Sequence, residues 1–126
     1  MLPYPAFCDS ETLTPVRILD FGLSTARPVD RYESAEASFS RVADTSGTGH
    51  IGCMHLGSGG VLGHHPAASN QLFCVVAGEG EVSGADGVAV SIRSGQAAFW
   101  EAGEPHETTT KIGLTAIIVE VAAVHL

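Results

Sequence analysis

Strand-sized apolar segments separated by glycine-bearing turns run through most of this chain, and that pattern leaves room for little but an all-β fold. The segments are Val16–Phe21, Ala37–Ala43, His50–Leu56, Gln71–Ala77, Val88–Ile92, Ala97–Trp100 and Leu114–Val121. Between them lie Thr45–Gly49, Gly57–Gly60, Gly78–Gly80, Gly84–Gly87 and Ser94–Gly95. Each of these can supply the positive φ angles that tight turns demand. Asp86-Gly87 predicts a hairpin turn between Glu81–Ser83 and Val88–Ile92. Ser34–Ser40 is compatible with a helical turn, but no helical period is sustained on either side of it. Fifteen glycines and six prolines in 126 residues, with only two methionines, fit short strands and tight turns better than a helical bundle. With 44% apolar residues the chain can bury one core without a disulfide or structural metal. The expectation is therefore a sandwich or barrel in one domain over residues 16–126.

Residues 1–15 carry three of the prolines and predict an extended arm, one able to lie on a neighbouring subunit. Six Lys and Arg against fourteen Asp and Glu leave a formal charge of −8, which repels a phosphate backbone and an anionic membrane surface alike. Nucleic acid and membrane are accordingly not expected partners. The start of the chain lacks a basic region followed by an apolar one, and no apolar run approaches the ~18–20 residues of a membrane span. A cytoplasmic location follows as an expectation. Cys8, Cys53 and Cys74 show no CxxC spacing and are odd in number, so they read as reduced thiols, with Cys53 and Cys74 in or near the core.

Two stretches carry more specific information, Gly59 to Gly78 and Gly95 to Thr110. They resemble the two motifs of the cupin family. The first motif is Gly, five residues, His-x-His, three or four residues, Glu, six residues, Gly; here Gly59, His65, Gln71 and Gly78 fall in register, with Ala67 at the second histidine. The second is Gly, five residues, Pro-x-Gly, two residues, His, three residues, Asn; here Gly95, Gly103 and His106 match, while Glu101 replaces the proline and Thr110 the asparagine. Two such motifs in order with a short gap are far harder to obtain by chance than either alone. The resemblance spans roughly Ala37 to Val121 and implies a cupin jelly-roll β-barrel, with the motif residues turned into its mouth.

In the family the motif histidines and glutamate hold a divalent metal. Carried over to this chain, the resemblance implies a reduced set of His65, Gln71 and His106. Imidazole suits Fe, Mn, Ni, Cu and Zn, and an amide oxygen is a weaker, neutral donor. An ion held this way keeps its full charge and favours a chelating, anionic substrate such as a dicarbonyl enolate or a carboxylate. Alternation places Phe73 and Val75 on the face of Gln71, with Leu72, Cys74 and Val76 on the other, and Trp100 enters the second motif. Phe73, Val75 and Trp100 are thus the expected apolar walls of the pocket. His64 is expected at the rim, His50, His55 and His125 match no motif, and Glu101, Glu104 and Glu107 read as solvated turn residues.

Two functions stand against each other. One is a metal-assisted enzyme, a dioxygenase, isomerase, cyclase or lyase, acting on a small carbonyl- or enol-containing metabolite. The other is a non-catalytic small-molecule-binding cupin that has lost its metal. Without metal, His65 or His106 could still act as a general base beside an acidic residue, and the sequence does not identify that partner. A homodimer is expected in either case, because cupins of this size usually pair.

Overall fold

The computed structural model describes residues 13–126. Ten strands follow one another: β1 (Arg17–Asp20), β2 (Arg27–Pro28), β3 (Ser38–Phe39), β4 (Asp44–Leu56), β5 (Val61–Pro66), β6 (Asn70–Ser83), β7 (Val90–Arg93), β8 (Gln96–Trp100), β9 (Pro105–Thr109) and β10 (Leu114–His125). One short 3₁₀ turn, Leu23–Thr25, interrupts them. Of the predicted arm, residues 1–12 lie outside the described residues.

All the pairings are antiparallel, and β6 is the strand that joins the two halves of the fold. Its first part, Asn70 to Gly78, sits in a sheet ordered β1-β8-β6-β10-β4. Its last part, Glu79 to Ser83, pairs instead with β7 and β9, and β9 continues to β5. Two sheets facing each other and sharing a strand make the jelly-roll arrangement that the motifs imply. The change of sheet occurs at Gly78, which has φ +78°. A Cβ there would lie 2.1 Å from the Gly113 carbonyl oxygen, so the bend needs both the left-handed backbone and the missing side chain of glycine.

Gly78–Gly80, expected as a turn, is therefore a kink inside one long strand. Thr45–Gly49, also expected as a loop, belongs to β4. There Asp44–Ser46 pairs with Ala123–His125 of β10, and the shift of register around Ala122 absorbs Gly47 and Thr48 as a bulge. Both stretches look like loops because they are polar and glycine-rich, yet β10 is long enough to pair along them. The Asp86-Gly87 hairpin forms as expected, with Val82 opposite Val90 and a turn closed from Gly87 N–H to the Gly84 carbonyl at 3.0 Å. Ala37–Ala43 contributes only Ser38–Phe39, paired with Arg27–Pro28 in a separate ribbon. Ser34–Ser40 is not helical, and Tyr32, Glu33 and Glu36 adopt positive φ around it.

The core lies between the two sheets. Phe73, Val75, Ala98, Trp100, Ala116 and Leu114 from the first sheet meet Val82 and Ile92 from the second. The outer face of the first sheet carries Cys53, Ile117 and Cys74 in one row. Cys53 is exposed there, against the expectation of a position in or near the core, because it lies on the outer face of β4, which is an edge strand among the described residues. Cys74 is half-buried, and that burial pushes its thiol pKa up.

Candidate functional site

The mouth of the sandwich is built by two rows of side chains. Directly paired residues of an antiparallel sheet share a face. In the first sheet Trp100 pairs with Gln71, Gln71 with Glu120, and Glu120 with His50, so one row crosses β8, β6, β10 and β4. Opposite it, His65 of β5 pairs with His106 of β9. The rows touch where the Trp100 ring stacks on His106, centroids 4.2 Å apart and planes inclined by 25°.

His65 and His106 are neighbours, with ring centroids 4.3 Å apart. The same local device orients each of them. Nδ1 of His65 lies 2.6 Å from the carbonyl oxygen of Gly63, and Nδ1 of His106 lies 3.1 Å from that of Glu104. A carbonyl oxygen only accepts, so each Nδ1 carries a proton, and in the neutral ring the lone pair belongs to Nε2. The register between β5 and β9 slips between Leu62 and His65, placing Gly63 and His64 opposite Glu107 alone. Such bulges re-aim side chains, and this one brings the Gly63 carbonyl under His65.

His106 is 1% exposed, and its Nε2 has no hydrogen-bond partner among the described residues. Thr108 Oγ1, two residues along the same strand, is buried and unpartnered as well. An unpaired buried polar atom costs about 1–3 kcal/mol, so the Nε2 lone pair is poised for a cation or a proton donor. Burial pushes the His106 pKa below the usual imidazole value, and the neighbouring His65 and His64 push it the same way. The Glu104 carbonyl and the charge of Glu120 act in the opposite direction. The net direction is downward, which favours the neutral form of the ring.

The loops around the site are clamped to each other. Ala67 N–H donates to the Glu104 carbonyl at 2.9 Å, and Gly103 N–H donates to the Ala67 carbonyl at 2.8 Å. Ala67 itself is 4% exposed and packs with Trp100 and Phe73 in the core. The place of the second motif histidine is thus filled by apolar packing and is no open gap. Glu104 is more than a solvated turn residue: its carboxylate accepts from Glu101 N–H at 3.0 Å and Ala85 N–H at 3.4 Å. Glu101 is exposed and pairs with Arg17 at 2.9 Å. Thr110 donates to the Glu79 carbonyl and accepts from Gly113 N–H, which ties the end of β9 to the kink of β6.

His65 and His106 are thus brought together, and Gln71 lies in register between Trp100, which stacks on His106, and Glu120. Phe73, Val75 and Trp100 are each fully buried. Trp100 supports the His106 ring and donates its Nε1–H to the Ser83 carbonyl at 3.1 Å, while Phe73 packs edge-on against Trp100. They underlie the site as its floor. Glu120 and His50 were not singled out by sequence, although they complete the row. The signal that would have found them is pairing register, which two bulges hide.

The two oriented imidazoles and the orphaned, buried Nε2 of His106 are of a chemistry that suits a divalent cation. Among the described residues no three His, Cys, Asp or Glu side chains come together closely enough to hold one ion. A third donor to the two imidazoles would therefore be of another type, and the Gln71 amide is the one that the motif offers.

A search of curated proteins finds no match. Solved structures share the fold. A cupin superfamily protein from Desulfitobacterium hafniense superposes with TM-score 0.56 at 14% identity, covering 85% of this chain and 99% of that one. A predicted oxalate decarboxylase from Thermotoga maritima gives TM-score 0.53 at 18% identity, covering 91% and 97%. A conserved protein of unknown function from Streptococcus pyogenes gives TM-score 0.54 at 20% identity over 58% of this chain; the match spans 63% of that protein's length. No helix of the described residues is long and apolar enough to cross a membrane. The cupin domain model matches residues 52–119, more than half of the sequence and both motifs, and the chain belongs to the cupin family.

Proposed function

We propose that this cupin is a metal-assisted enzyme acting on a small carbonyl- or enol-containing metabolite, as a dioxygenase, isomerase, cyclase or lyase. The observation that carries the reading is the pair of neighbouring imidazoles, ring centroids 4.3 Å apart, each oriented by an Nδ1 bond to a backbone carbonyl, of Gly63 and Glu104. Histidines that ligate metals almost always give their other N–H to an acceptor in this way. His65 and His106 would hold the ion, with the Gln71 amide oxygen as third donor. Fe, Mn, Ni, Cu and Zn all suit such a set. When bound, the ion would supply a Lewis acid able to polarise a substrate oxygen.

The protein's own groups do the rest. Trp100 holds the His106 ring flat and keeps water from its buried side. The clamp between Ala67 and the Gly103–Glu104 turn fixes β5 and β9 in register, so the two imidazoles keep their spacing. One fold neighbour is described as a predicted oxalate decarboxylase, which makes small dicarboxylates reasonable first substrates beside diketones and catechols. A cytoplasmic homodimer belongs to the same proposal, supported by the exposed apolar side chain of Ile51 on the outer face of β4.

Protein purified without a His-tag should bind one equivalent of at least one of these ions on calorimetric titration, and the loaded form should consume oxygen or substrate with one of that panel. No stoichiometric binding of any ion overturns the metal reading. The non-catalytic alternative is favoured by the neutral third donor and by Ala67 packed into the core. Tight binding of a metabolite by metal-free protein, without turnover, would select it.

A further inference from the structure

We propose that Thr108 is a further residue of this site, and that its hydroxyl and His106 Nε2 together hold one internal hydroxyl oxygen, that of water or of a small molecule that displaces it. The inference concerns the protein free of metal and does not rest on the metal reading, since a cation on Nε2 would take the same lone pair. Side chains of β9 alternate in burial, and His106, Thr108 and Thr110 face the interior at 1%, 0% and 5% exposure. Thr110 shows how such a hydroxyl is satisfied: it donates to the Glu79 carbonyl at 2.6 Å and accepts from Gly113 N–H at 2.8 Å. Thr108 has no counterpart to those bonds. It is paired with Leu62 on one side and Val82 on the other, and its Oγ1 is buried without a partner among the described residues, as is His106 Nε2.

Distance and polarity both match a single bridging oxygen. Residues two apart on a strand lie about 6.6 Å apart along it, well beyond the ~2.7–3.2 Å of a direct bond. Two hydrogen bonds through one oxygen span about 5–6 Å, which a small tilt of either side chain matches. The Nδ1 proton of His106 is committed to the Glu104 carbonyl, so Nε2 of the neutral ring only accepts. The bridging atom must therefore donate to Nε2 while it accepts from the Thr108 hydroxyl. A water or hydroxyl oxygen does both, whereas a carboxylate offers no proton and sets its charge against the lone pair. Buried waters satisfy groups of this kind, and two orphaned atoms on one strand face are costly without a partner. A small molecule that takes the water's place keeps both bonds only by presenting an enol or alcohol group there.

The test is a crystal structure of tag-free protein stripped with EDTA, together with urea unfolding of wild type, Thr108→Val and Thr108→Ser. The expected map shows one oxygen within about 2.7–3.2 Å of both Thr108 Oγ1 and His106 Nε2. An isolated peak is water, and an elongated one that reaches both atoms through a single oxygen is a hydroxyl compound carried through purification. Thr108→Val removes the hydroxyl at nearly constant shape. It should raise the unfolding equilibrium constant about 2- to 10-fold, the worth of one hydrogen bond. It should also move the nitrogen NMR shift of His106 Nε2, which Thr108→Ser should leave as in wild type. No density between the two atoms, or density that touches only one of them, overturns the proposal. So does a Thr108→Val protein as stable as wild type or more so, the result expected for a hydroxyl buried with no partner at all. Should Thr108→Val fail to fold, the wild-type map decides.

Discussion

His106 concentrates the chemistry of the molecule at one residue. Its ring is packed against Trp100, its Nδ1 proton is committed to the Glu104 carbonyl, and its buried Nε2 has no partner among the described residues. Burial lowers its pKa, so the folded protein resists protonation there more than the unfolded chain does. Its stabilising contribution is thus full above the ordinary imidazole value of 6.5 and is lost as pH falls below it toward the lowered folded value. For metal-free protein this predicts a stability that declines on acidification below that value by at most about 1.4 kcal/mol per pH unit from this group. Denaturant midpoints measured from pH 7.5 to 5 will check it; His106→Asn should flatten the decline, and an unchanged slope would assign the loss to other groups. Spacing against glycine was enough to single out His65, Gln71 and His106 in the sequence, because the motifs are local. Glu120 and His50 were not legible, since their membership depends on which residue faces which across β6, β10 and β4.

At the scale of elements, glycine sets where strands bend, and the motif glycines differ in how much they are needed. Gly59 and Gly78 both have positive φ, yet a Cβ on Gly59 meets nothing within 4 Å while one on Gly78 meets the backbone of Gly113 and Leu114. Gly59→Ala should cost only the left-handed backbone, about 1–2 kcal/mol. Gly78→Ala adds a clash with the Gly113 carbonyl, which is held at the start of β10 by the Glu79 N–H, and it should cost about 3 kcal/mol or more or prevent folding. Equal losses in urea unfolding would show that the β6 kink is more pliable than its geometry implies. The same element shows where reading a sequence for strands succeeds and fails. Gln71–Ala77 was recognisable from its run of apolar residues, but Gly78-Glu79-Gly80 looked like a turn. β5 and β9 contain His65, Pro66, Pro105 and His106, whose types argue against a strand until the partner strand is known. Pairing over long sequence separations supplied what local composition lacked.

At the scale of the whole molecule, charge and apolar exposure push association in opposite directions. Among the described residues β4 pairs with β10 alone, and Ile51 and Cys53 lie on the outer face of this edge strand, Ile51 at 72% exposure. A long edge with exposed apolar side chains is open to pairing with a second copy. Each copy also carries a formal charge of −8, which opposes close approach. If the proposed homodimer is held by apolar contact along this face, added salt should tighten it by screening that repulsion, whose range falls from about 10 Å at 0.1 M to about 3 Å at 1 M. An interface made of ion pairs would weaken over the same range. Sedimentation velocity at micromolar concentration should accordingly show a dimer whose dissociation constant falls with sodium chloride. Ile51→Lys should shift it to monomer without altering metal affinity, because the outer face of β4 is turned away from the row that holds His50. A monomeric wild type at every salt concentration rejects the dimer, and a dimer that Ile51→Lys leaves intact moves its interface elsewhere.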